Sequence, residues 1–159
     1  MKYTYILTYI LLAALLLTAC GSGAAPEETG FAFTYSGTQI RINGEAGPVV
    51  AALGEPKSYT EEASCASDGL SKTYYYGSFY LLTYPMDGRD YVYSLWFVDD
   101  AVATEEGIRI GSTQAEVEAA YGADGFDGTN TYVLTKADTK LTLILTDGIV
   151  SSIQYAAVV

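Results

Sequence analysis

The sequence predicts an α+β fold of two units in tandem, each a helix packed on a three- or four-stranded antiparallel sheet. Three observations point there. Ile40–Gly54, IRINGEAGPVVAALG, matches Ile108–Gly122, IRIGSTQAEVEAAYG, over the same length without a gap. A repeated supersecondary unit of this kind sets the architecture before any single element does. Each copy is followed by stretches dense in aromatic and β-branched residues, the types that suit a pleated surface. A helix followed by adjacent antiparallel strands makes an α+β unit.

In chain order, Met1–Cys20 reads as a targeting segment outside the fold. Lys2 gives a positive end, and Ile6–Leu17 is an almost unbroken apolar run, short of the ~20 residues a membrane span needs. Leu17-Thr18-Ala19-Cys20 resembles the lipobox of bacterial lipoprotein signal peptides. That resemblance implies cleavage before Cys20 and a diacylglycerol thioether on its sulfur. It implies an exported protein held to the cell membrane by acyl chains, facing outside the cytoplasm. Buried acyl chains contribute about 0.8 kcal/mol per CH₂, so several long chains give a stable anchor. The domains expected are therefore residues 1–19 as signal peptide, 20–37 as lipidated cysteine and flexible tether, 38–100 as the first unit and 101–159 as the second.

The second copy carries the better helix start. Thr113 can accept a first-turn N–H, and Glu116 can reach back to the Thr113 N–H, which makes a capping box. Gly122 is the expected stop. The first copy has Glu45 in place of the capping Thr, and Pro48 where Glu116 stands. Proline is tolerated in a first turn, so this helix is expected to start at Gly47 or Pro48 and to be the shorter. Ser58–Leu70 reads as an irregular connection or an edge strand. Thr73–Tyr76, Phe79–Tyr84 and Tyr91–Val98 read as three strands joined by Gly77-Ser78 and Asp87-Gly88 turns. Thr131–Thr135, Leu141–Thr146 and Ile149–Tyr155 repeat that order. Val92, Ser94 and Leu95 overlay Val150, Ser152 and Ile153.

The lead-in Gly107–Thr113, with Val117 and Tyr121-Gly122 behind a lipobox, resembles the tandem α/β fold of β-lactamase-inhibitor-like proteins. It is also similar to the single unit of outer-membrane assembly lipoproteins of the small-protein-A type. The stretch from Ser64-Cys65-Ala66 through Thr83-Tyr84-Pro85 to Glu106-Gly107-Ile108 resembles uncharacterised lipoproteins of Gram-positive anaerobes. The resemblance spans Thr38 to Tyr155 and implies a fold; fold alone assigns no inhibitor activity.

Composition narrows the function. The net charge of −11 argues against nucleic acid, which needs a basic footprint. With no histidine there is no imidazole base and no His-ligated zinc. No G-x-S-x-G, P-loop or dinucleotide fingerprint occurs, so no enzyme activity is expected. No cofactor is expected beyond the acyl chains on Cys20, and no metal: Gly125 and Ala123 stand where a calcium loop around Asp127 would need oxygens. Two cysteines occur, and Cys65 is left without a partner once Cys20 is acylated.

Fifteen tyrosines and one tryptophan are the main functional clue. Strand alternation puts Phe79, Leu81 and Thr83 on one face, and Tyr80, Leu82 and Tyr84 on the other. In the next strand it puts Tyr91, Tyr93, Leu95 and Phe97 together, opposite Val92, Ser94, Trp96 and Val98. One helix covers one face only, so an aromatic surface drawn from Tyr74, Tyr76, Tyr80, Tyr84, Tyr93 and Trp96 is the candidate binding face. Tyr and Trp are enriched at recognition surfaces; the competing reading is that the same side chains fill a core. The function expected is a non-catalytic, lipid-anchored module that binds an unknown protein at the cell surface or in the envelope. The alternatives are an envelope-assembly scaffold with a permanent partner, or a receptor for a small molecule or glycan.

Overall fold

The computed structural model describes residues 29–64 and 68–158. The leader, Cys20 and Cys65 lie outside the described residues. The elements are β1 (Ala32–Tyr35), β2 (Thr38–Arg41), α1 (Ala46–Leu53), β3 (Ser58–Ala63), β4 (Leu70–Tyr75), β5 (Phe79–Met86), β6 (Arg89–Phe97), α2 (Gln114–Tyr121), β7 (Thr131–Lys136), β8 (Thr139–Thr146) and β9 (Ile149–Ala157).

The expectation of two helix-on-sheet units is overturned. Half of the described residues lie in strands and 13% in helix. Strands β3 to β9 form one seven-stranded antiparallel sheet in the order β3-β4-β5-β6-β9-β8-β7, and β1-β2 form a separate hairpin. The physical reason is the edge. A small sheet ending at β6 or β9 would leave that strand's backbone groups unpaired. Here the two edges pair with each other, Ser94–Trp96 against Gln154–Ala156. Each helix is eight residues long and cannot cover a sheet face alone. The β1-β2 hairpin, whose first strand lies in the stretch assigned to the tether, supplies the missing cover. Phe33 packs between Phe79 and Phe97, with ring centroids 5.3 and 4.8 Å away. Phe31 reaches Tyr155 at 5.6 Å, and its N–H donates to Thr139 Oγ1 at 2.7 Å.

The two copies of the repeated segment meet the sheet alike. Asn43 N–H donates to Val92 O, and Val92 N–H to Gly44 O; Gly111 N–H donates to Val150 O, and Val150 N–H to Ser112 O. Glu45 bridges Tyr91, and Thr113 bridges Ile149. Because β6 and β9 overlap over three residue pairs only, each would expose a length of unpaired edge. The lead-ins occupy those lengths, which satisfies backbone groups that burial would otherwise penalise.

The helix starts differ as the sequence suggests, but not in length. Thr113 accepts from Glu116 N–H and receives the Glu116 side chain in return, a full capping box. That contact holds the Glu116 carboxyl below its ordinary pKa, first through the Thr113 backbone N–H. Glu45 makes no cap; its carboxylate pairs with Arg89. Helix α1 starts at Ala46, earlier than expected, because Pro48 still falls within the first turn, where its missing N–H costs nothing. Both helices end at a glycine with positive φ, Gly54 at 78° and Gly122 at 85°.

Both central hairpins carry a bulge at the same place. The β5-β6 register shifts between Leu82 and Thr83, and the β8-β9 register between Ile144 and Leu145. The extra residues are Tyr93 and Ser151. The bulge corrects the alternation expected for β6: Val92 is buried with Leu95 and Phe97, while Tyr91 turns to the other face. An inserted residue reverses the facing of all that precedes it in the strand.

Candidate functional site

Helices α1 and α2, the β1-β2 hairpin and the 99–111 crossing all contribute side chains to one core, on one face of the sheet. The register places the other face without cover. Strand β5 shows the division: Phe79, Leu81, Thr83 and Pro85 are buried, and Tyr80, Leu82 and Tyr84 are half-buried. On the open face, Tyr75, Tyr80 and Trp96 follow one another across β4, β5 and β6. Tyr84 and Tyr91 form a second cross-strand pair, and Tyr93 stands beside Tyr84.

Ring contacts fix these side chains upright on the sheet. Tyr75 stacks on Tyr80 at 4.7 Å and 26°. Tyr84 meets Tyr91 at 5.9 Å and Tyr93 edge-on at 6.3 Å. Trp96 is 51% exposed and Tyr93 37%, unusual for residues of this size in the middle of a strand. Burial raises the pKa of the Tyr84 phenol, which stays neutral. Across β4 to β9 no Asp or Glu falls on this face; its charged residues there are Arg89, at the start of β6, and Lys140, and Glu62 of β3 stands at its edge opposite Ser71. In a chain of net charge −11 that is a marked segregation. Depletion of charge and enrichment in Tyr and Trp mark the centres of protein interfaces.

Of the expected site residues, the structure brings together Tyr80, Tyr84, Tyr93 and Trp96. It does not bring Tyr74 and Tyr76 to them. Tyr74 pairs with Leu81 and shares its core-side face. Tyr76 is buried at the end of β4 and stacks on Phe79 at 5.3 Å. Burial raises the pKa of both phenols. Sequence reasoning missed Tyr75 and Tyr91. A register for β4 would have found Tyr75, because alternation from Tyr80 across the ladder puts it opposite; Tyr91 needed the bulge.

The second half of the sheet is an internal reference for this face. Register and bulge align each position of β4, β5 and β6 with one of β7, β8 and β9. Most core-side positions keep their type: Tyr74 with Tyr132, Leu81 with Leu143, Val92 with Val150, Leu95 with Ile153, Phe97 with Tyr155, although Thr83 aligns with Leu145. On the open side Thr73, Leu82 and Ser94 align in kind with Thr131, Ile144 and Ser152, but the aromatic positions do not keep their type. Tyr75, Tyr80, Tyr84, Tyr91, Tyr93 and Trp96 align with Val133, Thr142, Thr146, Ile149, Ser151 and Gln154. Where Tyr84 meets Tyr93 in the first half, Thr146 donates a 3.1 Å hydrogen bond to Ser151 in the second.

The acidic pairs form no ligand set. Among the described residues no three carboxylates or thiols come together. Asp127 accepts from Thr129 N–H at 3.0 Å and Thr129 Oγ1 at 2.6 Å, bonds that lower its pKa and close a turn. Asp99 accepts from Ala101 N–H. Glu106 accepts from the Tyr121 hydroxyl at 2.6 Å. No family model, no curated protein and no solved structure matches the chain.

Proposed function

We propose that this chain is a lipid-anchored, extracytoplasmic, non-catalytic module that binds a protein partner through the open face of β4, β5 and β6. One observation carries the reading: at aligned positions of the same sheet most core-side residues repeat in kind, whereas the six aromatic residues of the open side align with Val, Thr, Ile, Ser and Gln and none with an aromatic residue. The aromatic residues are thus not what this sheet geometry requires. Large, stiff side chains with a polar tip give contact area at low entropic cost. Unpaired aromatic surface in water is disfavoured unless something covers it. The anchoring part of the proposal rests on the Leu17–Cys20 sequence.

The test places a photo-crosslinking amino acid at position 93 of the full-length protein on its native cells, and at position 146 as the aligned control. A discrete protein adduct from 93 and none from 146 is expected. Equal adducts from both positions, or a polysaccharide adduct, would contradict the proposal. Replacing Cys20 by Ala is expected to release the protein from the membrane fraction.

A further inference from the structure

Beside Trp96 the open face is cut by a shallow apolar groove of about 270 Å³, lined by Tyr80, Trp96, Val98, Ile110, Ser151 and Ser152. It lies on the seam between β6 and β9. At the aligned place in the other half, Tyr93 stands where Ser151 does, and Ser94 beside it is 1% exposed, whereas Ser152 is half-buried. The bulge residue is thus a Tyr in one half and a Ser that lines the groove in the other.

The geometry points to an anchor pocket. We propose that this groove takes one branched apolar side chain of the protein partner, Leu or Ile, flanked in the partner by basic residues. This deepens the protein-binding reading above and rests on it. The apolar part follows from the lining: Val98 is 42% exposed and Ile110 half-buried, with Trp96 as the wall. The basic flank follows from charge. Within two residues of the lining stand Asp99 and Asp100 against Arg109 alone, neither Asp is in an ion pair, and the chain carries −11 overall. A field of that sign steers cationic segments toward the surface. Anchors of this type, seated in a pocket beside an aromatic residue, carry much of the energy of protein interfaces.

Trp96 is the chain's one tryptophan, so its emission reports the groove directly. The probe is an acetylated, amidated Gly-Lys-Leu-Lys-Gly peptide, titrated into the protein with Trp96 emission as readout. A saturable shift is expected, at least tenfold weaker with Ser in place of Leu, and severalfold weaker with Glu in place of both Lys. Ser151→Tyr is expected to close the groove and abolish the shift. Val98→Lys, at an exposed position, is expected to weaken it by repelling the lysines, which keeps the test standing should Ser151→Tyr not fold. Equal response to the Leu and Ser peptides, no response to either, unchanged binding by Ser151→Tyr in a folded protein, or a shift with oligosaccharide alone overturns the pocket. So does a dimer of this chain seated on Trp96. The position-93 adduct reads the broader proposal separately: an adduct that persists in Ser151→Tyr would leave the binding face standing and remove the pocket.

Discussion

Strands β4, β5 and β6, set against β7, β8 and β9, are two solutions to one packing problem that diverge on one side only. Both halves bury Leu, Val, Ile, Phe or Tyr against the covering layer, both carry a bulge beside a valine, and both plug that valine's free edge with an Ile-Arg-Ile lead-in. On the far side the aromatic residues of one half meet Thr, Ser, Gln, Val and Ile at the aligned positions of the other. The lesson is that the core side is dictated by packing density, where a methylene is felt, while the open side is free to be set by something else. A sheet can satisfy its fold without aromatic residues there, as the second half does.

The comparison can be broken at several places, the largest effects lying in the core. Leu95→Ala and Ile153→Ala remove aligned, fully buried side chains. Each is expected to cost about 2–5 kcal/mol in urea unfolding, with the two values close to one another. A large inequality would mean that the aligned positions are not equivalent in packing. Next come the helix stops. Gly54→Ala and Gly122→Ala meet no neighbour within 4 Å, but the positive φ comes with an extended ψ, −156° and 168°, a region kept for glycine, so each is expected to cost about 1–3 kcal/mol through backbone strain alone.

The helix starts sharpen the contrast because they differ. Thr113→Ala removes a full capping box and is expected to cost about 1 kcal/mol. Glu45→Ala removes no cap, only an exposed pair with Arg89, and is expected to cost a few tenths of a kcal/mol. The Glu116 carboxylate adds a pH signature. Its folded pKa lies below the ordinary glutamate value of 4.5, so the stability from its bond to Thr113 is present above about pH 4.5 and lost as pH falls through the lowered value. The gap between Thr113→Ala and the parent protein should narrow below that pH in thermal melts, and a gap independent of pH would contradict the capping geometry.

Much of this was legible in the residues. The repeat, the Thr113 capping box, the six central strands and the alternation in β5 follow from local chemistry that tertiary packing did not override. The overlay of Val92, Ser94 and Leu95 on Val150, Ser152 and Ile153 agrees with the register, which puts each pair in the same place beside its bulge. What was not legible is long-range. No local signal says that β6 pairs with β9, because that pairing depends on two edges meeting across the chain. Nor does one say that Ala32–Arg41 folds back as a hairpin cover: Phe31, Phe33 and Tyr35 alternate with Ala32 and Thr34 as a strand would, but nothing local says which surface that strand packs on. The site was legible in part. Tyr80, Tyr84 and Trp96 came from composition and alternation; Tyr93 came from composition alone, since alternation put it with Leu95 and Phe97, and Tyr74 and Tyr76 were misplaced because β4 has no clear period of its own. Tyr91 was hidden by the bulge, whose position depends on the partner strand.

The most direct measurement uses the second half as the donor of residues for the first. Tyr80→Thr, Tyr84→Thr and Trp96→Gln together give the open face of β5 and β6 side chains found at the aligned positions of β8 and β9, and leave position 93 for the photo-crosslinking amino acid. The expected result is a midpoint of thermal unfolding within a few degrees of the parent, far less than the loss from Leu95→Ala, together with loss of the partner adduct on native cells. A protein that unfolds, or one that stays folded and still captures its partner, would contradict the claim that these aromatic residues serve recognition rather than the fold.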